Sequence, residues 1–156
     1  MSSKKRKPQN NSLRNRRASF DYALEDTLVA GLELTGAETK SLRYGHGHLK
    51  GAYVTARNNE LWLINATITG SNAVPIDEDD KTRARKLLVK RKDIDVLVAA
   101  KKQGRSIVPL AILNRGRFIK LKIALGKGKK TTDKRQTIKR REDKITAERA
   151  IKRHSR

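Results

Sequence analysis

Ser106-Ile107-Val108-Pro109-Leu110-Ala111-Ile112-Leu113, then Asn114-Arg115-Gly116, then Arg117-Phe118-Ile119-Lys120-Leu121-Lys122-Ile123-Ala124-Leu125 is the stretch that decides the fold. An apolar run, a turn signal and an alternating run make a β-hairpin, because successive side chains of a strand point to opposite faces. Phe118, Lys120 and Lys122 fall on one face and Ile119, Leu121 and Ile123 on the other. One face is apolar and the other basic, and a slip of one residue would exchange them, so the register is fixed.

Working outward, the same two signals recur. Leu28 to Leu34 is a short apolar run closed by Thr35-Gly36 and reads as a strand. Gly36 to Arg43 has helix-compatible composition, with Leu42 available to dock on the core. Ala52 to Arg57, Asn58-Asn59 and Glu60 to Ile68 form another hairpin, since Asn tolerates the positive φ that a tight turn demands. Trp62, Ile64 and Ala66 are expected to share a face there, with Trp62 in the core. Ser71 to Asp80 is a polar, acidic surface loop. Between Lys86 and Gly104, Leu88, Ile94, Leu97 and Val98 fall at helical spacing, which predicts a helix from near Lys90 with Gly104 as its stop. Five strands with two helices predict a mainly β chain with short helices, a small OB-like antiparallel β-barrel.

Charge sets the boundaries. The 156 residues carry 38 Lys plus Arg against 16 Asp plus Glu, a formal +22, which calls for a polyanionic partner. Residues 1–17 are basic without an acid and predict a flexible N-terminal arm. Residues 18–126 hold nearly all the large apolar side chains and are the barrel, and 127–156 form a second basic arm. From Asp133 onward this tail contains no Pro or Gly, and Ile138, Ile145 and Ile151 are too sparse to bury a face. It is expected to be disordered alone and helical where a negatively charged channel neutralises it.

Other classes are excluded in turn. A membrane-surface protein would need a basic helix with a continuous apolar face, and a spanning one a longer apolar run. There is no Cys, and no apolar leader precedes Arg17, so a reducing, cytoplasmic setting is expected. His46 and His48 have no third ligand at metal spacing, Asp77 to Asp80 are a solvated charge run, and no catalytic or cofactor motif is present. The expectation is no enzyme, no metal and no cofactor. Arg83, Arg85, Lys86, Lys90, Arg91 and Lys92 crowd one segment, and from this Arg83, Arg85 and Lys86 are assigned to RNA phosphate. Gly126-Lys127-Gly128-Lys129-Lys130 reads as a hinge to the tail that also touches phosphate. With 4% aromatics, base stacking is not expected and structured RNA is the target, recognised by backbone and shape.

Several segments together resemble the SmpB (SsrA-binding) family: Asn15-Arg16-Arg17-Ala18, Ala30 to Gly36, Glu38 to Arg43, Leu61 to Ala66, Arg85-Lys86-Leu87-Leu88, and Gly128-Lys129-Lys130 leading into Asp133-Lys134-Arg135. The resemblance implies a protein that binds the tRNA-like domain of tmRNA and delivers it, with elongation factor Tu, to stalled ribosomes, its tail entering the empty mRNA channel of the small subunit. It implies tmRNA contacts at Asn15, Arg16, Arg17, Lys40 and Arg43. Ribosome contacts near the decoding site fall to Lys127, Lys129, Lys130, Asp133, Lys134 and Arg135, with Asp133 orienting Lys134 or Arg135. The chain departs from the family pattern at Val29, where relatives carry Glu, at Thr132 for His or Tyr, at Gly70 for Pro, and at Gly126 for Ala, which implies a looser tail hinge. A generic ribosomal or ribosome-assembly RNA-binding protein is the alternative, and a monomer is the simplest state.

Overall fold

Alternation along residues 120–125 is realised as a strand whose Leu121, Ile123 and Leu125 are buried while Lys120 faces solvent. The computed structural model describes residues 12–114 and 116–154. In chain order the elements are β1 (Leu13–Arg14), α1 (Ala18–Asp21), β2 (Tyr22–Leu32), α2 (Gly36–Arg43), β3 (Gly47–His48), β4 (Tyr53–Arg57), β5 (Glu60–Ile64), β6 (Thr67–Ile68), α3 (Glu78–Lys81), β7 (Arg85–Leu88), α4 (Arg91–Lys102), β8 (Ser106–Leu113), β9 (Lys120–Gly128) and α5 (Thr131–His154). Strands β8, β4, β5, β7, β2 and β9 are hydrogen-bonded in that order, and β9 returns to β8, so the ring closes. All its pairings are antiparallel. Closure leaves no open edge in the ring, as expected for a mainly β barrel with short helices.

The strand of the ring that the sequence reading missed is β7. Arg85 and Leu87 point inward, Lys86 and Leu88 outward, and Leu88 is 56% exposed. Four residues are too few to show a period of two beside the helical pattern that follows. The first strand is longer than the apolar run, because Glu25 and Asp26 sit at an irregularity between Leu24 and Thr27 and β2 continues on both sides. In the β4–β5 hairpin, Asn58 and Asn59 have φ of 49° and 61°, as a two-residue turn requires. Leu61 and Leu63 form its inner face, so Trp62 and Ile64 are half-buried on the outside, contrary to expectation. Asn65, at φ 57°, ends the alternation and turns Ala66 back into the core.

The helices close the barrel. Thr35 and Glu38 form a capping box at the start of α2, each side chain bonding the other's backbone N–H. Leu42 of α2 and Ile94, Leu97 and Ala100 of α4 join the barrel core. Gly104, at φ 80°, follows α4 as the expected stop. The acidic loop is tied by paired backbone bonds between Ser71 and Val74, and a side chain at Gly70 would meet the Ile76 nitrogen at 2.6 Å.

Both arms differ from their compositional boundaries. Leu13 and Arg14 pair with Ile112 and Ala111, and Asn15 binds the Leu110 carbonyl through its N–H (2.7 Å) and the Pro109 carbonyl through its side chain (3.0 Å). Residues 13–15 are therefore held on β8, at the bulge between Pro109 and Ala111, while 1–11 lie outside the described residues. At the other end β9 runs to Gly128, so Gly126 is no hinge. It is buried, and an added Cβ would come 3.1 Å from the Tyr22 Cβ. Beyond it the tail is one helix, α5, and among its residues 131–151 none is buried.

Candidate nucleic-acid interface

Half of the densest run of cations is engaged by carboxylates of the fold, Arg83, Arg85 and Lys86, while Lys90, Arg91 and Lys92 stand exposed. Arg85 is fully buried: its Nε donates to Glu38 at 2.9 Å, and its other nitrogens donate to the carbonyls of Ala66, Arg83, Asp80 and Lys81. It cannot reach a phosphate, which corrects the RNA-contact expectation for that residue. Arg83 makes two bonds to the same carboxylate, 2.8 and 2.6 Å, and keeps 30% of its side chain exposed. Burial would raise the Glu38 pKa, but the Arg83 and Thr35 hydrogen bonds and the two guanidinium charges outweigh it and hold the carboxyl below its ordinary value. Burial lowers the Arg85 pKa against the pull of Glu38. Lys86 is paired with Glu60 across β5 and β7, and that hydrogen bond raises its pKa. Arg83 and Lys86 thus offer RNA only the part of their charge that these carboxylates leave unneutralised.

A second group is presented outward. On α2, Lys40 is exposed, and Arg43 donates to the carbonyls of Gly116 (3.3 Å) and Arg117 (2.8 Å). Arg43 therefore anchors the turn before β9 as well as facing solvent. Along β9, Lys120 and Lys122 lie on the outer face, with Lys122 beside Val29 of β2, itself 49% exposed. The sequence marked these two lysines as the basic face of the hairpin, by their alternation against Leu121 and Ile123, without assigning them to RNA.

The third group surrounds α1. Lys129 donates its N–H to the Asp21 carbonyl (2.9 Å) and its ammonium to that of Ser19 (2.8 Å). Lys134 reaches the Asp21 carboxylate at 3.0 Å and lies 5.9 Å from the Phe20 ring centre, and Arg17 approaches Asp21 at 3.6 Å. Arg16, Lys127, Lys130, Asp133 and Arg135 are exposed nearby in sequence. Asp133 accepts from the Lys130 N–H at 3.2 Å, so it caps the start of α5, where Lys134 or Arg135 had been expected as its partner. Residues 15–17 and 127–135, which the sequence divided between two RNAs, form one surface joined through α1. A groove of about 610 Å³ lined by Asn15, Arg17, Tyr53, Lys101 and Arg105 opens beside it.

Among the described residues no cluster of three or more His, Asp or Glu side chains is placed to hold a metal ion, and no helix is long and apolar enough to cross a membrane. Tyr44 and His46 form a tilted ring pair with centres 6.3 Å apart.

This cation-rich barrel with a basic helical tail has clear relatives. The family model described as SmpB protein matches residues 12–153. The SsrA-binding protein of Maricaulis maris is 50% identical over 130 residues, covering 82% of this chain and 83% of that one. The SsrA-binding protein of Halalkalibacterium halodurans is 43% identical over 143 residues, 91% of this chain and 93% of that one. A solved structure described as "tmRNA-SmpB: a journey to the center of the bacterial ribosome" superposes with a TM-score of 0.64 at 34% identity, covering 77% of this chain and 85% of that one. With the match running from β1 through α5, the chain belongs to the SmpB family.

Proposed function

We propose that this protein binds the tRNA-like domain of tmRNA and, with elongation factor Tu, delivers it to stalled ribosomes for trans-translation, acting in the cytoplasm as an RNA-binding factor and not as an enzyme. The observation that carries the reading is the exposed cationic surface where residues 15–17 meet 127–135, at the base of a 24-residue basic helix, in a chain that matches the family over 12–153. Cations held by a rigid barrel contact phosphates at fixed spacing, and counterion release drives the association. Shape and backbone then select a folded RNA over a free strand. At about 1.5 Å per residue, α5 is a rod of about 36 Å, long enough to pass from the barrel into a channel. Its lack of buried side chains suits a segment whose partner is RNA on all sides, and an anionic channel supplies the stabilisation that the barrel does not.

Titrating the full chain with the tRNA-like domain at near-physiological salt, in competition with an unrelated structured RNA, tests the reading. Selective binding that weakens steeply with salt is expected. Equal affinity for both RNAs would overturn tmRNA delivery and leave a generic ribosomal or assembly protein.

A further inference from the structure

Phe118 is 68% exposed on a barrel whose other large apolar side chains are mostly inside. It projects from the turn that enters β9, and Arg117 places its guanidinium 5.5 Å from the ring centre. Beside the ring is a cavity of about 350 Å³ lined by Gly31, Leu34, Thr39, Leu88, Phe118 and Lys120, among others. Leu88 is itself 56% exposed. The turn is anchored: Arg43 holds the carbonyls of Gly116 and Arg117, and Asn114, at its start, donates to the Leu42 carbonyl at 3.0 Å. An exposed aromatic on an anchored turn, with an apolar recess at its side, is placed as a ligand platform.

We infer that Phe118 is a stacking platform for one unpaired nucleobase of the bound RNA, the base entering the recess between Phe118 and Leu88 while its flanking phosphates lie on Arg117, Lys120 and Lys122. Charge complementarity selects this occupant. Among the described residues the recess has Arg117 and Lys120 in its lining and no carboxylate, and Lys122 follows on the same face of β9. An apolar peptide would have to desolvate these cations without neutralising them, whereas a nucleotide brings a flat apolar base and an anion together. The volume lies at the low end for ligand pockets, about 300–1,000 Å³, which suits one heterocycle. Thr39 is the polar side chain at the recess besides the cations, so the base is held by stacking and not by its hydrogen-bonding edges, and its identity matters little. This site rests on the RNA-binding function proposed above and adds to it one direct base contact.

The test uses the full chain and the tRNA-like domain of tmRNA carrying 2-aminopurine at single unpaired positions. Stacking quenches that fluorophore, so one or two positions should dim on binding to the wild type. Phe118→Ala should restore the fluorescence and weaken binding about 5- to 150-fold, the range for losing one stacked base, with the slope of affinity against salt unchanged. Phe118→Leu, which keeps apolar bulk without a ring, should resemble Phe118→Ala, and Phe118→Trp should bind like the wild type. If wild type binds tightly and selectively while Phe118→Ala or Phe118→Leu binds within twofold of it, the platform is refuted and the delivery function stands. If wild type shows no selectivity, the function itself falls. If Phe118→Ala keeps RNA affinity and instead loses assembly with elongation factor Tu, the recess is a protein-docking site and the inference is overturned.

Discussion

Residues 83–92 and 127–135 are similarly dense in Lys and Arg, yet the fold neutralises Arg83, Arg85 and Lys86 of the first while leaving Lys90, Arg91 and Lys92 exposed. In the first, Arg83 and Arg85 converge on Glu38, Lys86 pairs with Glu60, and Arg91 lies 3.5 Å from Asp95. In the second, Lys134 reaches Asp21 and most of the other cations stand exposed. Local charge density is therefore no measure of charge available to RNA. What decides is whether the topology brings a carboxylate alongside, and Glu38 lies 47 residues before Arg85. Neutralised cations hold the barrel together, and exposed ones remain for a polyanion.

The sharpest way to separate the two roles is to remove the exposed set. Deleting residues 131–156 should reduce rescue of ribosomes stalled on a truncated message to background, while the tRNA-like domain is still bound selectively, its affinity lowered by the loss of Lys134 and Arg135 from the surface they share with residues 15–17. The cut belongs after Lys130, because β9 pairs with β2 as far as Gly128 and a cut at Lys127 would strip rungs from the barrel. Peptide tagging in a reconstituted translation reaction reads the first effect and RNA titration the second. A shortened chain that still rescues would show that the tail is not the effector.

Breaking the neutralised set acts on stability. Glu38→Gln leaves Arg85 charged and buried without a counter-charge, a loss of about 3–5 kcal/mol by analogy with other buried pairs, measured by urea unfolding at neutral pH. A change under about 1 kcal/mol would mean that the carbonyls around Arg85 suffice. The pH dependence has a definite sign. Because the folded pKa of Glu38 lies below its ordinary 4.5, its ionised form stabilises the native state above that value, and the contribution is lost as pH falls through the folded pKa. Between neutrality and acid, wild type should lose more stability than Glu38→Gln, and the two unfolding curves should converge.

A finer comparison sets Lys122 on the outer face of β9 against Arg83 at Glu38. If Lys122 meets a phosphate, Lys122→Ala should lower the slope of log affinity against log salt by about 1 without changing stability. Arg83→Ala should do the reverse, destabilising the barrel and leaving most of the slope. Equal slopes for Lys122→Ala and wild type would remove that lysine from the interface.

These contrasts also mark what the sequence could disclose. The β8–β9 hairpin was legible because alternation over six residues has one physical solution, and α2 because Gly36 to Arg43 has helix-compatible composition with Leu42 placed to dock on the core. β7 was not, because four residues hold only two periods and their place in the ring depends on pairing with β2 and β5. β1 was hidden because backbone hydrogen bonds hold it to β8, and a count of basic residues cannot see them. Of the candidate site, Lys40 and Arg135 came through the family resemblance and the outward face of Phe118 through its alternation with Ile119, whereas the burial of Arg85 depends on Glu38, far away in sequence. Counting aromatics argued against stacking, yet a single aromatic in an exposed, anchored position is enough to reopen it.

The smallest effect concerns the joint between barrel and tail. Asp21 and Lys134 meet at 3.0 Å with side chains 28% and 35% exposed, so solvent screens the pair, and a double-mutant cycle of Asp21→Asn with Lys134→Ala should return a coupling below about 1 kcal/mol. Without a buried side chain, residues 131–151 gain little else from the barrel, and a helix of this composition is marginal in water. Hydrogen exchange should therefore show weakly protected amides along α5 in wild type and double variant alike, beside a slowly exchanging barrel, and protection should rise when tmRNA-loaded ribosomes are added. A coupling above about 2 kcal/mol, or a tail already protected in the free protein, would make α5 a docked part of the fold, and the two cationic regions would then differ in degree and not in kind.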